Sequence, residues 1–240
     1  MPILRYPVIM IFLLIPLAIC GAILAGTAAR ACDTQVCLID PAKLRLSRVI
    51  TFDDLPVSPG IGRAIDQVLV RPGARFGERF LGQSVTSIDS FDTVHGIAVA
   101  PLTAVAGAPG QTLGALRLLG TTVLHGHGAM GFPSTEAVGE GSVAVAFDDD
   151  QTALSLDIRG GEQGQATVIF LRRDGSILAT LILGPLSEQT FGFIRKNTIP
   201  DIAGFLLLNT DPQGISLDNL RFDNDQLMGT LRPYTPRHNG

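Results

Sequence analysis

The chain has 240 residues, a net charge of −4, 17% charged and 46% hydrophobic side chains, and no tryptophan. The only basic pairs are Arg172-Arg173 and Arg195-Lys196, which argues against nucleic acid as a partner. Residues 1–31 read as an export signal. Arg5 supplies the positive start, 8–24 is an apolar run broken by Pro16 and Gly21, and Gly26-Thr27-Ala28-Ala29-Arg30-Ala31 suits a signal peptidase acting after Ala29 or Ala31. The run is short for a membrane anchor, which needs about 20 apolar residues. The mature protein is therefore expected to be secreted or periplasmic, with no membrane contact after cleavage. It would lose Arg5 and Arg30 and keep all 22 acidic residues, so it becomes more acidic. Cys20 leaves with the signal. Cys32 and Cys37 remain, and in an oxidising compartment they can close a small disulfide loop within an N-terminal segment, 32–47. The alternative is a pair of free or metal-binding thiols, although two cysteines alone do not complete a structural zinc site.

In chain order, strands are expected over 49–52, 67–70, 76–80 and 97–99. The stretch 101–141 is rich in Gly and Ala, with one strand pair near 116–118 and 121–124, and reads as long loops or an excursion at one end of the fold. Val143, Val145 and Phe147 then alternate with Ala144 and Ala146, and Asp148-Asp149-Asp150-Gln151 reads as an acidic turn. Leu154, Leu156 and Ile158 alternate with Ser155 and Asp157, and a Gly-rich turn occupies 160–164. Next comes a run over 167–171, then Arg173-Asp174-Gly175-Ser176, whose Gly tolerates the positive φ of a tight hairpin. Strands over 177–183, 190–194, 202–208 and 215–222 complete the series. Short strands at near-regular spacing, with no amphipathic helix between them, predict an all-β antiparallel sandwich of jelly-roll type over 48–223. A polar tail, 224–240, follows.

Acidic residues stand at both ends of this body. Ile50-Thr51-Phe52-Asp53-Asp54-Leu55 opens it and Leu217-Asp218-Asn219-Leu220-Arg221-Phe222 closes it. A carboxylate inside an apolar run is costly to desolvate unless something pairs with it. The first and last strands are therefore expected to lie together and to share what neutralises them.

These two motifs, with Ala179-Thr180-Leu181 after the Asp-Gly hairpin, Phe191-Gly192-Phe193 and Ile202-Ala203-Gly204, resemble a group of exported bacterial β-sandwich proteins. Many members of that group carry a sorting segment of the PEP-CTERM type. More distantly the pattern is similar to jelly-roll carbohydrate-binding modules with a galactose-binding-like fold. In those modules acidic residues of the opening and closing strands hold a structural calcium, which by resemblance implicates Asp53 or Asp54 and Asp218. Calcium takes roughly 6–8 oxygen ligands, and Asp53, Asp54, Asp218 and Asn219 can supply several. The alternative is that Asp53-Asp54 caps a strand end and Asp218 accepts backbone N–H bonds.

Three further chemistries are open. His125-Gly126-His127 would put two imidazoles on one face of an extended backbone, with His95 as a third ligand for zinc or copper, or would be surface histidines in a flexible Gly-flanked loop. Glu136, Glu140, Asp157 and Glu162 are available to a glycan hydrolase, which needs two carboxyls about 5–9 Å apart. No serine-nucleophile elbow, zinc-protease motif or phosphate loop occurs. Sugar platforms usually stack on Trp or Tyr, and the only tyrosines are Tyr6 and Tyr234, in the signal and the tail. Sugar recognition, if present, would run through loop amides and carboxylates. The expected role is an exported non-catalytic module, binding or structural, whose partner is extracellular polysaccharide, matrix or a surface protein. The alternatives are the hydrolase and a periplasmic His-x-His metal binder.

Overall fold

The computed structural model describes residues 32–223. The signal and tail expected at the two ends lie outside them. In chain order the first strands are β1 (Val36–Ile39), β2 (Arg48–Ile50), β3 (Arg63–Ile65), β4 (Leu69–Arg71), β5 (Ala74–Gly77) and β6 (Arg79–Phe80). Next come β7 (Ser84–Ile88), β8 (Phe91–His95), β9 (Ala104–Val105), β10 (Leu113–Leu118), β11 (Thr121–His127) and β12 (Val138–Gly141). The longer strands close the series: β13 (Val143–Gln151), β14 (Ala153–Gly160), β15 (Ala166–Leu171), β16 (Ile177–Leu183), β17 (Gln189–Arg195), β18 (Ile202–Asn209) and β19 (Ile215–Asp223).

One sheet runs β1-β17-β14-β19-β11-β10-β3, with β12 beside β11 and β2 beside β19. The other runs β16-β15-β18-β13-β5-β4, and the pairings are antiparallel in both. The expected all-β antiparallel sandwich is the observed class. Alternation drives it. Leu154, Leu156 and Ile158 of β14 and Leu217 and Phe222 of β19 meet Val145, Phe147, Val168, Phe170 and Phe205 of the facing sheet in one core. Phe147 packs 5.0 Å from Phe222, and Phe170 packs 5.1 Å from Phe193, ring centre to ring centre across the layers.

The six-stranded sheet is buried on its outer face as well. Ala144 and Ala146 there meet Phe80, Ala98, Leu102 and Ala104 in a second, smaller core. The small alanines let the 79–105 excursion lie close against the sheet. Residues 97–99, expected as a strand from their apolar run, are not one. They are an irregular segment docked by Val99 N–H to Leu81 O (2.8 Å), and the strand before them is β8.

The acidic run 148–150 is not a separate turn but a register shift within β13, between Ala146 and Gln151. Each acid has its own guanidinium: Asp148 meets Arg75, Asp149 meets Arg48 and Asp150 meets Arg173. At the N-terminus, Cys32 and Cys37 form a disulfide across a Cα–Cα distance of 5.6 Å. Cys37 lies in β1, which pairs with β17, so strand pairing takes in part of the segment expected to precede the sandwich. Val36 is fully buried in the core.

The opening and closing strands do pair, Ile50 opposite Leu220 and Arg48 opposite Phe222. Within β19, Asp218 and Arg221 oppose Asp157 and Ser155, so β19 carries one extra residue, a β-bulge. Asn219 occupies it at φ +41°, a region Asn tolerates better than most side chains. The bulge is why Leu217 and Leu220, three apart, both reach the core.

Candidate functional site

The acids expected at the join are held by protein donors. Asp53 accepts from Thr122 N–H (2.8 Å) and the Thr121 hydroxyl (3.1 Å), and these bonds hold its carboxyl below the usual range. Asp54 makes a two-pronged pair with Arg71, at 2.8 and 2.9 Å. Asp218, fully buried, accepts from Asn219 N–H at 2.8 Å and lies 3.6 Å from Arg159 Nε. Asn219 donates to Asp157 Oδ2 at 2.8 Å, and Thr190 donates to the other Asp157 oxygen at 2.7 Å. Among the described residues no three His, Cys, Asp or Glu side chains gather at metal-binding distance.

His125 and His127 are not in a loop. They lie in β11, fully buried, with ring centres 4.7 Å apart. Gly114 on the neighbouring strand makes room, since a Cβ there would stand 2.5 Å from both rings. Burial lowers the His125 pKa to about 3, with His127 adding to the effect, and burial lowers His127 as well. His125 Nε2 and both nitrogens of His127 lack hydrogen-bond partners. His95, exposed on β8, bonds instead to Thr86 at 2.8 Å.

The four carboxylates considered for hydrolysis fall in different settings. Glu136 is exposed in a 3-10 turn and Glu162 is exposed in the 160–164 turn. Asp157 belongs to the sheet network just described. Glu140, in β12, is buried behind Gly128, a residue that lines a polar site.

That site is a pocket of about 450 Å³ whose lining includes Glu78, Arg79, Ser84, Ser87, Asp92 and Gln111. Three elements build it. Glu78 sits between β5 and β6, fixed by its N–H to Val105 O at 2.9 Å. The β7–β8 hairpin brings Asp92 over Ser142, which donates to Asp92 Oδ2 from its N–H (2.9 Å) and its hydroxyl (3.2 Å). The hairpin tip is tied down by the Ser90 hydroxyl, which donates to Glu140 Oε1 at 2.9 Å. The 107–112 loop closes the side, and Gln111 reaches Ala129 O at 3.2 Å. A Cβ at Gly107 would stand 2.3 Å from Glu78 Oε1, so a side chain there would displace that carboxylate.

The electrostatics are uneven. Burial raises Glu78, and the direct donation from Arg79 Nη1 to Glu78 Oε2 offsets only part of that rise. Burial pushes Asp92 up to about 6 against the Ser142 bonds that lower it, and the negative Glu78 and Glu140 add to the rise. Glu140 Oε2 is buried without a hydrogen-bond partner. None of the pocket-lining residues is aromatic.

Glu78 and Asp92 were missed by sequence reasoning. The signal was present in Val85-Thr86-Ser87-Ile88-Asp89-Ser90-Phe91-Asp92, a polar hairpin whose turn puts Asp89 at positive φ. It was overshadowed by the more apolar 97–99. Asp211 was missed too. Fully buried, it accepts N–H bonds from Glu162 (2.8 Å), Gly164 (2.8 Å) and Gln213 (3.1 Å), locking two turns together.

Comparison by sequence finds no matching protein-family model and no matching curated protein.

Proposed function

We propose that this chain is an exported, non-catalytic binding module whose site is the acidic pocket and whose ligand is a hydroxylated segment of extracellular polysaccharide. The observation that carries the reading is the lining: carboxylates, serine hydroxyls, two glutamines and an arginine around about 450 Å³, roughly the low end of small-ligand sites. Carboxylates accept from sugar hydroxyls, while Arg79 and Gln111 donate to ring and hydroxyl oxygens. Such a site binds through edges of the sugar and needs no aromatic platform.

The strand order supports the jelly-roll reading. Strands β11-β19-β14-β17 make one layer and β13-β18-β15-β16 the other, and the chain crosses between layers in the jelly-roll sequence. Fold alone does not assign function, so the pocket carries the argument. The calcium expected at Asp53, Asp54, Asp218 and Asn219 is replaced in our reading by arginine, threonine and backbone donors.

A glycan array probed in EDTA and again in calcium tests the proposal. Binding to polysaccharide fragments in both conditions, weakened at least about tenfold by Gln111→Ala or Ser87→Ala, is expected. Binding untouched by either substitution would move the site elsewhere.

A second reading has one observation in its favour. A carboxyl held at about 6, beside Glu78 and Glu140, suits a general acid of a glycan hydrolase. Release of reducing sugar from a bound polysaccharide, abolished in Asp92→Asn, would establish that reading over the first.

A further inference from the structure

We infer that the protein pairs with a second copy of itself, edge to edge along β16, about a two-fold axis at Leu181. This edge shares no residue with the lining of the acidic pocket.

A strand at the end of a sheet presents a row of unpaired N–H and C=O groups, and proteins usually keep such strands short or guard them with charge or proline. Three of the four ends of the two sheets follow that rule. β1 has four residues and carries the disulfide at Cys37, while β3 and β4 have three each and include Arg63 and Arg71. The fourth end is β16, Ile177-Leu178-Ala179-Thr180-Leu181-Ile182-Leu183, seven residues without a charge or a proline. Among the described residues its strand partner is β15, on one side. The irregularity in that pairing lies at its start, opposite Phe170 and Leu171, so 179–183 are regular.

Both cores run out at this edge. On the inner face, Val143, Leu207, Val168 and Leu181 stand in one row across the sheet, and Leu181 is only partly buried where the row ends. On the outer face, Ala144, Leu206, Ile169 and Thr180 form the matching row of the second core, and Thr180 is exposed. Beside it Ile182 is 65% exposed. Each layer therefore stops with apolar surface in water.

The strand that fits such an edge is extended, uncharged and apolar on both faces, and β16 itself has those properties. A two-fold axis normal to the sheet sets the run 179–183 antiparallel to its copy. Leu181 then lies opposite itself, Thr180 opposite Ile182 and Ala179 opposite Leu183, so each unlike pair sets a small side chain against a large one. The axis keeps the core faces on one side. The inner row continues from one Leu181 to the other, and Ile182 of each copy extends the outer row of the other beyond Thr180. Such an interface is isologous and closes at two copies. Being one strand wide, it stands at the low end of interface sizes and gives weak association.

Sedimentation equilibrium of the protein over about 5–500 µM should show reversible dimerisation with a dissociation constant on the order of 10–100 µM. Ile182→Lys and Thr180→Lys, each checked for folding by circular dichroism, should weaken it at least about tenfold, because they place the charge that guards an edge. Ile88→Lys, at a comparably exposed position (62%) on the β7–β8 hairpin, should leave it within about twofold. Amide hydrogen exchange within 179–183 should slow as concentration rises. Monomer throughout the range would overturn the inference. A dimer that persists in both folded lysine variants, or whose formation leaves exchange in 179–183 unchanged, would overturn it as well, by placing the contact elsewhere.

Discussion

Asp92 shows how one side chain can tie stability to the site. Its carboxyl is held at about 6 instead of 3.8, so as pH rises the unfolded chain loses this proton before the folded one does. Ionising the folded group then costs stability between those values, and the full cost, on the order of 1–3 kcal/mol, is present at neutral pH. His125 acts in the opposite sense. It stays neutral in the fold down to about 3, so the unfolded chain takes up a proton below 6.5 and stability is lost as pH falls. The difference between wild type and Asp92→Asn isolates the first effect. Urea unfolding at pH 4, 5, 6 and 7 should give variants of nearly equal stability at pH 4 and a growing advantage for Asp92→Asn toward pH 7. A difference that does not change with pH would contradict the assignment.

At the scale of elements, the fold was most legible where both faces of a strand are apolar or strictly alternating. Residues 177–183 were read with the observed bounds, and 143–147, 154–158, 202–208 and 215–222 each lie within an observed strand. The first half was harder, because β7 and β8 form a polar hairpin with little apolar period and the three-residue β3 pairs at long range with β10. The closing motif was noticed for its acids, but its physical role is geometric: Asn219 takes the bulge, and Asp218 is turned to the outer face, where Arg159 meets it. Asp211 makes the same point about turns. No periodicity marks it, yet it satisfies N–H groups on both sides of a join between the 160–164 and 210–214 turns. Asp211→Ala would leave those part-buried donors without their acceptor, and a loss of about 1–3 kcal/mol in urea unfolding is expected. Asp211→Asn, which keeps one acceptor oxygen, should lose less.

At the scale of the whole molecule, two cores share one sheet. The nine-stranded and six-stranded sheets close the main core, and the 79–105 excursion covers the outer face of the second sheet over alanines. That excursion is what builds the pocket, since the β7–β8 hairpin lies between the sheet and the 107–131 loops. The sequence suggested loops as the place for a site, but its polar groups come from separate elements, Glu78 from the β5–β6 join, Asp92 from the β7–β8 hairpin and Gln111 from the 107–112 loop. Long-range closure of this kind leaves no local spacing to read. The same logic governs the join of the opening and closing strands, whose acids use arginine and backbone donors. Melting in EDTA and then in added calcium should therefore leave Tm unchanged. A calcium-dependent rise, lost in Asp218→Ala, would restore the ion to that join.

The most direct test of the account is where a ligand touches the protein. Isotope-labelled protein, titrated with short polysaccharide fragments, should show amide shift changes at Ser84, Ser87, Asp92, Gln111, Gly128 and Ala129. Changes confined to other surfaces, such as Thr121 and Arg159 on the nine-stranded sheet, or no changes at all, would contradict it.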